Sequence, residues 1–170
     1  REDLRQRVQA YMKKAVREAK LHTTWVCPDE SYEQALEHYI DGVLRAGANP
    51  FADELQKFTD HVAPFGFRNS LAQVALKFTC PGVPDLYQGC EQWNFSLVDP
   101  DNRRPVDYAG LAHSLESVEA LYRQGWPMAE HWQTLHAHAA DGRIKQLVTW
   151  RLMRLRRERS ELFRLASYLP

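Results

Sequence analysis

The chain has 170 residues, enough for one ordinary domain or two small ones around a real apolar core. Lysine plus arginine and aspartate plus glutamate each number 22, so the formal net charge is zero, which counts against bulk electrostatic binding to nucleic acid or an anionic membrane. Hydrophobic residues make up 44% and no apolar run exceeds three residues, so the stretch reads as globular, with neither a transmembrane helix nor a signal-peptide core. A cytoplasmic location is the expectation.

Residues 2–21 carry Leu4, Val8, Tyr11, Met12, Ala15, Val16 and Ala19 at helical three- and four-residue spacing, which predicts an amphipathic helix. Glu2 and Asp3 near its start and Lys20 near its end suit the helix dipole. After Pro28, Asp29 or Ser31 is placed to cap a second helix over 30–46. Its apolar stripe is Tyr32, Ala35, Leu36, Tyr39, Ile40, Val43 and Leu44, and Gly47 and Asn49-Pro50 stop it.

A third helix over 51–64 is expected to turn Phe51, Leu55, Phe58 and Val62 inward. Pro64 and Gly66 then interrupt the chain before a fourth helix, over 68–79, that buries Leu71, Val74, Ala75 and Phe78. Pro81-Gly82-Val83-Pro84 excludes helix, and Asp85-Leu86-Tyr87 reads as a short strand. Residues 88–107 form a long polar loop of the kind that usually carries function. Helices over 108–124, 128–139 and 141–158 follow, punctuated by Trp126-Pro127 and Asp141-Gly142, with a last turn near 160–164. The fold class is mainly α, with one or two short strands and no internal repeat.

Common nucleotide, zinc-protease and hydrolase motifs are absent. His131, His136 and His138 do not share a helix face, which argues against zinc. Cys27, Cys80 and Cys90 are odd in number and in no metal spacing. They read as reduced thiols, with a Cys80–Cys90 disulfide as the alternative. The arginines at 151, 154, 156, 157 and 159 are expected to solvate the outer face of a helix near its C-terminus rather than to bind nucleic acid.

The segment 81–108 mixes aromatics (Tyr87, Trp93, Phe95) with carboxylates (Asp85, Glu91, Asp99, Asp101, Asp107) and the pair Arg103-Arg104. Aromatic faces stack on sugar C–H faces, while carboxylate and guanidinium groups bracket hydroxyls. A second reading stays open, in which the loop is tied down by its own salt bridges with Trp93 and Phe95 in the core.

The run PGVPDLYQGCE over 81–91 resembles the stretch near the last barrel strand of the α-amylase clan of glycoside hydrolases. With SLVDPDNRRPVDY over 96–108 it resembles, within that clan, the maltooligosyl trehalose synthase family. EAKLHTTWVCPDESYE (18–33), NPF (49–51), GFRNSLAQVALKFTCPGVPDLYQG (66–89) and DGRIKQLVTWRLMRLRRERSELF (141–163) fit the same pattern. Cys80, Cys90 and Gln92 depart from it, the cysteines standing where small hydroxyl residues are expected.

The resemblance implies an isomerase that moves the reducing-end glucose of a maltooligosaccharide from an α-1,4 to an α,α-1,1 linkage by intramolecular transglucosylation. No metal or organic cofactor is implied. The family's catalytic carboxylates lie in motifs that this sequence lacks, so no catalytic residue is assigned and the chain alone is expected to be inactive. The implied architecture is a helical insertion over 1–65 and, over 66–170, a late helix of a (β/α)₈ barrel, its last strand, a long active-site loop and closing helices. Asp99 and Arg103 are the implied glucose contacts, with Arg104, Glu91 and Trp93 as second choices. The chain begins at Arg1 without methionine, and both ends read as cut from a longer protein. Such a piece is expected to self-associate through an uncovered apolar seam. The competing expectations are a non-catalytic helical scaffold and another glycosidase of the clan.

Overall fold

The computed structural model describes residues 2–45, 47, 49–123 and 129–167; the Trp126-Pro127 punctuation lies outside them. The described elements are the helices α1 (Glu2–Ala19), α2 (Glu30–Leu44), α3 (Pro50–Thr79), α4 (Tyr108–Arg123), α5 (Ala129–Ala137), α6 (Arg143–Glu158) and α7 (Ser160–Leu165), with short 3-10 turns at Asp101–Arg103 and Ala139–Asp141. No helix among them is long and apolar enough to cross a membrane. The chain divides into two units: Arg1–Val62 with Phe95–Arg104, and Ala63–Asn94 with Pro105–Pro170.

In the first unit α1 and α2 run antiparallel and are joined by a polar rail. Arg5 Nη1 and Gln9 Nε2 donate to Asp41 Oδ1 at 2.6 and 2.8 Å, Lys13 Nζ lies 3.3 Å from Glu37, and Arg17 grips Glu33 with two bonds of 2.7 Å. These positions recur every four residues on each helix and so line one face. The Asp29 side chain accepts from the Tyr32 N–H and caps α2, as its place before the apolar stripe predicts. Asn49 is buried because it closes two helices. Its Nδ2 donates to the Val43 carbonyl at 2.7 Å, and its Oδ1 accepts from the Ala52 N–H.

The second unit has an apolar core. Val118, Leu135, Ile144 and Leu147 are buried, with Leu71, Leu121, Ala139 and Trp150 packed on them. Gly142 is required at the start of α6: its φ is +79°, and a Cβ there would stand 2.8 Å from the Cβ of Gln92. Asp141 accepts from the Arg143 N–H at 2.9 Å and Asp107 from the Gly110 N–H at 2.9 Å, which starts α6 and α4.

Two expectations are corrected, and a third has no counterpart among the described residues. The helices placed over 51–64 and 68–79 are one helix, α3, which runs through Pro64. A proline costs an interior helix about 3 kcal/mol, and the burial of Val74 and Phe78 beyond it offsets that cost. Phe51, Leu55, Phe58 and Val62 do not turn inward: they are 52, 41, 62 and 38% exposed. No described residue lies in a strand, and Asp85-Leu86-Tyr87 is irregular. A parallel strand needs a hydrogen-bonded neighbour, and none is present among the described residues.

The arginine run of α6 is less solvated than expected. Arg151 and Arg154 lie over the Tyr122 ring at 4.4 and 5.5 Å. Arg156 donates to the carbonyls of Phe78 at 2.9 Å, Cys80 at 3.1 Å, and Gly82, so it holds the Pro81-Gly82 turn. Cys27, Cys80 and Cys90 are free thiols.

Candidate functional site

The run Asp99-Pro-Asp-Asn-Arg-Arg104 sorts its charges into two sets. Asp101 faces inward, with its side chain 7% exposed. Arg7 of α1 clamps it with two bonds of 2.8 Å, the Leu97 N–H donates to Oδ2 at 2.6 Å, and Arg104 Nε lies 3.2 Å from Oδ1. The Arg7 guanidinium also donates to the Phe95 carbonyl at 2.8 Å. Chiefly because of the Arg7 hydrogen bonds, and against the opposing effect of burial, the Asp101 carboxyl is lowered to about 2. It stays ionised and fixes the loop.

Asp99 and Arg103 form the other set. They pair with each other four residues apart, and their side chains are 40 and 74% exposed. Asp99 and Pro100 border an open groove of about 490 Å³, whose other walls are Lys13, Lys14 and Arg17 of α1 and the indole of Trp25. Exposed carboxylate and guanidinium groups on a clamped loop can bracket neutral hydroxyl groups. A smaller groove of about 280 Å³ lies on the Arg7 side, bordered by Asp101 and Arg104.

Trp25 is held by the turn that precedes α2. Thr24 Oγ1 accepts from the Cys27 N–H at 2.9 Å, and the buried Thr23 hydroxyl accepts from the Asp29 N–H at 3.0 Å. The same hydroxyl donates to Glu33 at 2.7 Å. Glu33 is lowered to about 2, first by the bonds from Arg17 and then by Thr23. Arg17 in turn lies 4.9 Å from the Trp25 ring centroid, while Trp25 remains 57% exposed.

Glu91 and Trp93, also singled out from the sequence, belong to the second unit. Trp93 stacks on Phe67 at 4.7 Å, donates its indole N–H to the Ala139 carbonyl at 2.6 Å, and carries the Lys145 ammonium 5.6 Å from its ring centroid. Burial pushes the Lys145 ammonium down. Glu91 Oε2 is buried without a hydrogen-bond partner. Phe95, which the second sequence reading put in the core with Trp93, is 70% exposed.

Arg7 and Arg17 have no local signal in the sequence, and Trp25 lies within the run 18–33 without being marked there as a site residue. Arg7 reaches Asp101 across 94 positions, so neither helix periodicity nor loop composition marks it. Among the described residues no cluster of three or more histidine, cysteine, aspartate or glutamate side chains could hold a metal ion.

No family model matches the chain. A curated protein of Mycobacterium tuberculosis strain H37Rv, named "Putative maltooligosyl trehalose synthase", is 43% identical over 116 residues, 68% of this chain and 15% of that one. A crystal structure of maltooligosyl trehalose synthase superposes with a TM-score of 0.83 at 33% identity over 96% of this chain and 21% of its own. For maltooligosyltrehalose synthase from Arthrobacter ramosus the TM-score is 0.76 at 37% identity, over 93% and 19%. The helices and the clamped loop are thus one segment of a much longer fold, of which the chain spans 15–21%. The chain belongs to the maltooligosyl trehalose synthase family, as such a segment.

Proposed function

We propose that this segment works within an enzyme that isomerises the reducing-end α-1,4 bond of a maltooligosaccharide to an α,α-1,1 linkage. One glycosidic bond breaks and one forms, with no net addition of water, so water must be kept from the transferred glucose. The segment holds no catalytic carboxylate. Asp85-Leu86-Tyr87 becomes the last barrel strand once its neighbours are present, and the loop after it reaches the active site. Residues 1–65 act as a helical insertion and 66–170 as the barrel-derived part. The intact enzyme works in the cytoplasm, and the exposed face of α3 makes the isolated segment self-associate.

Asp99 and Arg103 contact the glucose being turned over, with Arg104 of the same loop as a second choice; Glu91 and Trp93 remain second choices within their own unit. The observation that carries this reading is the division within the loop: Arg7 and Arg104 hold Asp101, which leaves the Asp99–Arg103 pair exposed, with Asp99 bordering an open groove. A glucose hydroxyl exchanges with a weak exposed ion pair at little cost.

The test is activity on maltopentaose. The full-length gene product should remove reducing ends without releasing matching glucose, and this chain alone should do neither. In the full-length protein, Arg103→Lys should raise hydrolysis relative to isomerisation, because an ammonium holds two hydroxyls less rigidly than a planar guanidinium. An unchanged product ratio removes Arg103 from the site.

A further inference from the structure

The groove beside Asp99 has a wall that the loop does not explain. Trp25 is 57% exposed, although a large aromatic ring gains most by burial. Its turn is nevertheless fixed: Thr23 ties Asp29 to Glu33, Glu33 grips Arg17, and Arg17 covers one face of the indole. Three linked groups therefore hold an aromatic ring at the edge of a groove whose volume falls in the range of small-molecule sites.

The charges around this groove are already matched. Lys13 pairs with Glu33 and Glu37, Lys14 with Glu18, Arg17 with Glu33, and Arg103 with Asp99. Four cations thus meet four carboxylates. Such a surface has little net field to attract an anion, yet it offers many donors and acceptors around an apolar ring. The ligand chemistry that fits is neutral, rich in hydroxyls and able to lay a C–H face on an indole.

We propose that this groove is a glucose-binding subsite for the same α-glucan that Asp99 contacts, with Trp25 stacking on a sugar face and the Lys14 ammonium and Asp99 carboxylate meeting its hydroxyls. The inference rests on the reading of Asp99 given above and extends the substrate path from the loop to the turn before α2. It makes Trp25 a binding residue with no part in the chemical step.

The experiment uses the full-length gene product with maltopentaose as probe. Trp25→Ala should raise KM by about 3- to 10-fold with kcat nearly unchanged, the loss expected for one aromatic stacking contact. Trp25→Phe, which keeps a ring, should restore most of the affinity. Ala10→Met, which fills the groove from the face of α1 and removes no contact, should also raise KM and serves where Trp25→Ala does not fold. An unchanged KM in both Ala10→Met and a folded Trp25→Ala overturns the subsite. So does a lowered melting temperature at constant KM, which would mean that the rest of the enzyme covers the groove. Asp99→Asn is measured alongside. If it alters the ratio of isomerisation to hydrolysis while the groove variants leave KM unchanged, the subsite falls and the reading of Asp99 stands. If the unaltered protein does not isomerise maltopentaose, that reading falls and the subsite with it.

Discussion

Around α6, Val118, Leu135, Ile144 and Leu147 are each at most 3% exposed, whereas the unit built on α1 and α2 buries one apolar side chain, Ile40, among its described residues. In its place that unit has the rail of Arg5, Gln9, Lys13 and Arg17 against Asp41, Glu37 and Glu33, and the clamp of Arg7 on Asp101. Apolar burial is non-directional and indifferent to pH, so it holds helices without dictating which polar groups reach the surface. Paired charges act only in one register, and here they leave polar groups at the rim. The groove and the exposed Asp99–Arg103 pair lie in the unit made that way.

The contrast breaks most visibly at the apolar core. Ile144→Ala should cost about 3–5 kcal/mol in urea denaturation of the chain, since it empties a fully enclosed site. A smaller loss would mean that α4 and α6 close on the gap.

Acid should act on the other unit. Glu33 and Asp101 are lowered to about 2 from ordinary values of 4.5 and 3.8. Each binds its proton more weakly when folded, so the stability it adds is complete above about pH 4.5 and drains away as pH falls towards 2. Amide exchange followed over that range should show α1 and α2 opening. Glu33→Gln and Asp101→Asn should be less stable at neutral pH and should show a shallower acid response. An unchanged acid response in both would detach the polar clamp from stability.

The smallest effect concerns the end of α1. Lys20 takes a left-handed φ of 57°, the conformation that glycine occupies without cost. Lys20→Gly should raise stability by about 0.5–1 kcal/mol in the same denaturation assay. A loss would show that the lysine side chain contributes more than its backbone costs.

Most helices were legible because apolar residues recur at helical spacing and Asp29, Asn49 and Asp141 punctuate them. Pro64 misled, since a local rule about proline says nothing of the packing of Val74 and Phe78 farther along α3. The stripe from Phe51 to Val62 lies on a helix as expected but does not turn inward, because periodicity marks a face and not its partner. The loop was legible as a charged segment. Which aspartate turns inward was not, because the choice is made by Arg7 on a distant helix. Trp93 had two sequence readings, and its stacking on Phe67 and bond to Ala139 now define its surroundings.

Arg156 gives the chain an order of events during synthesis. The carbonyls of Phe78, Cys80 and Gly82 wait for a donor 74 to 78 positions downstream. At about 5–20 residues per second, a ribosome needs roughly 4 to 15 s to deliver it. Until α6 emerges, the Pro81-Gly82 turn lacks its fastening, and the loop that follows has no fixed point of departure. A nascent chain halted before residue 156 therefore leaves this turn open to proteases and chaperones, however complete its earlier helices are.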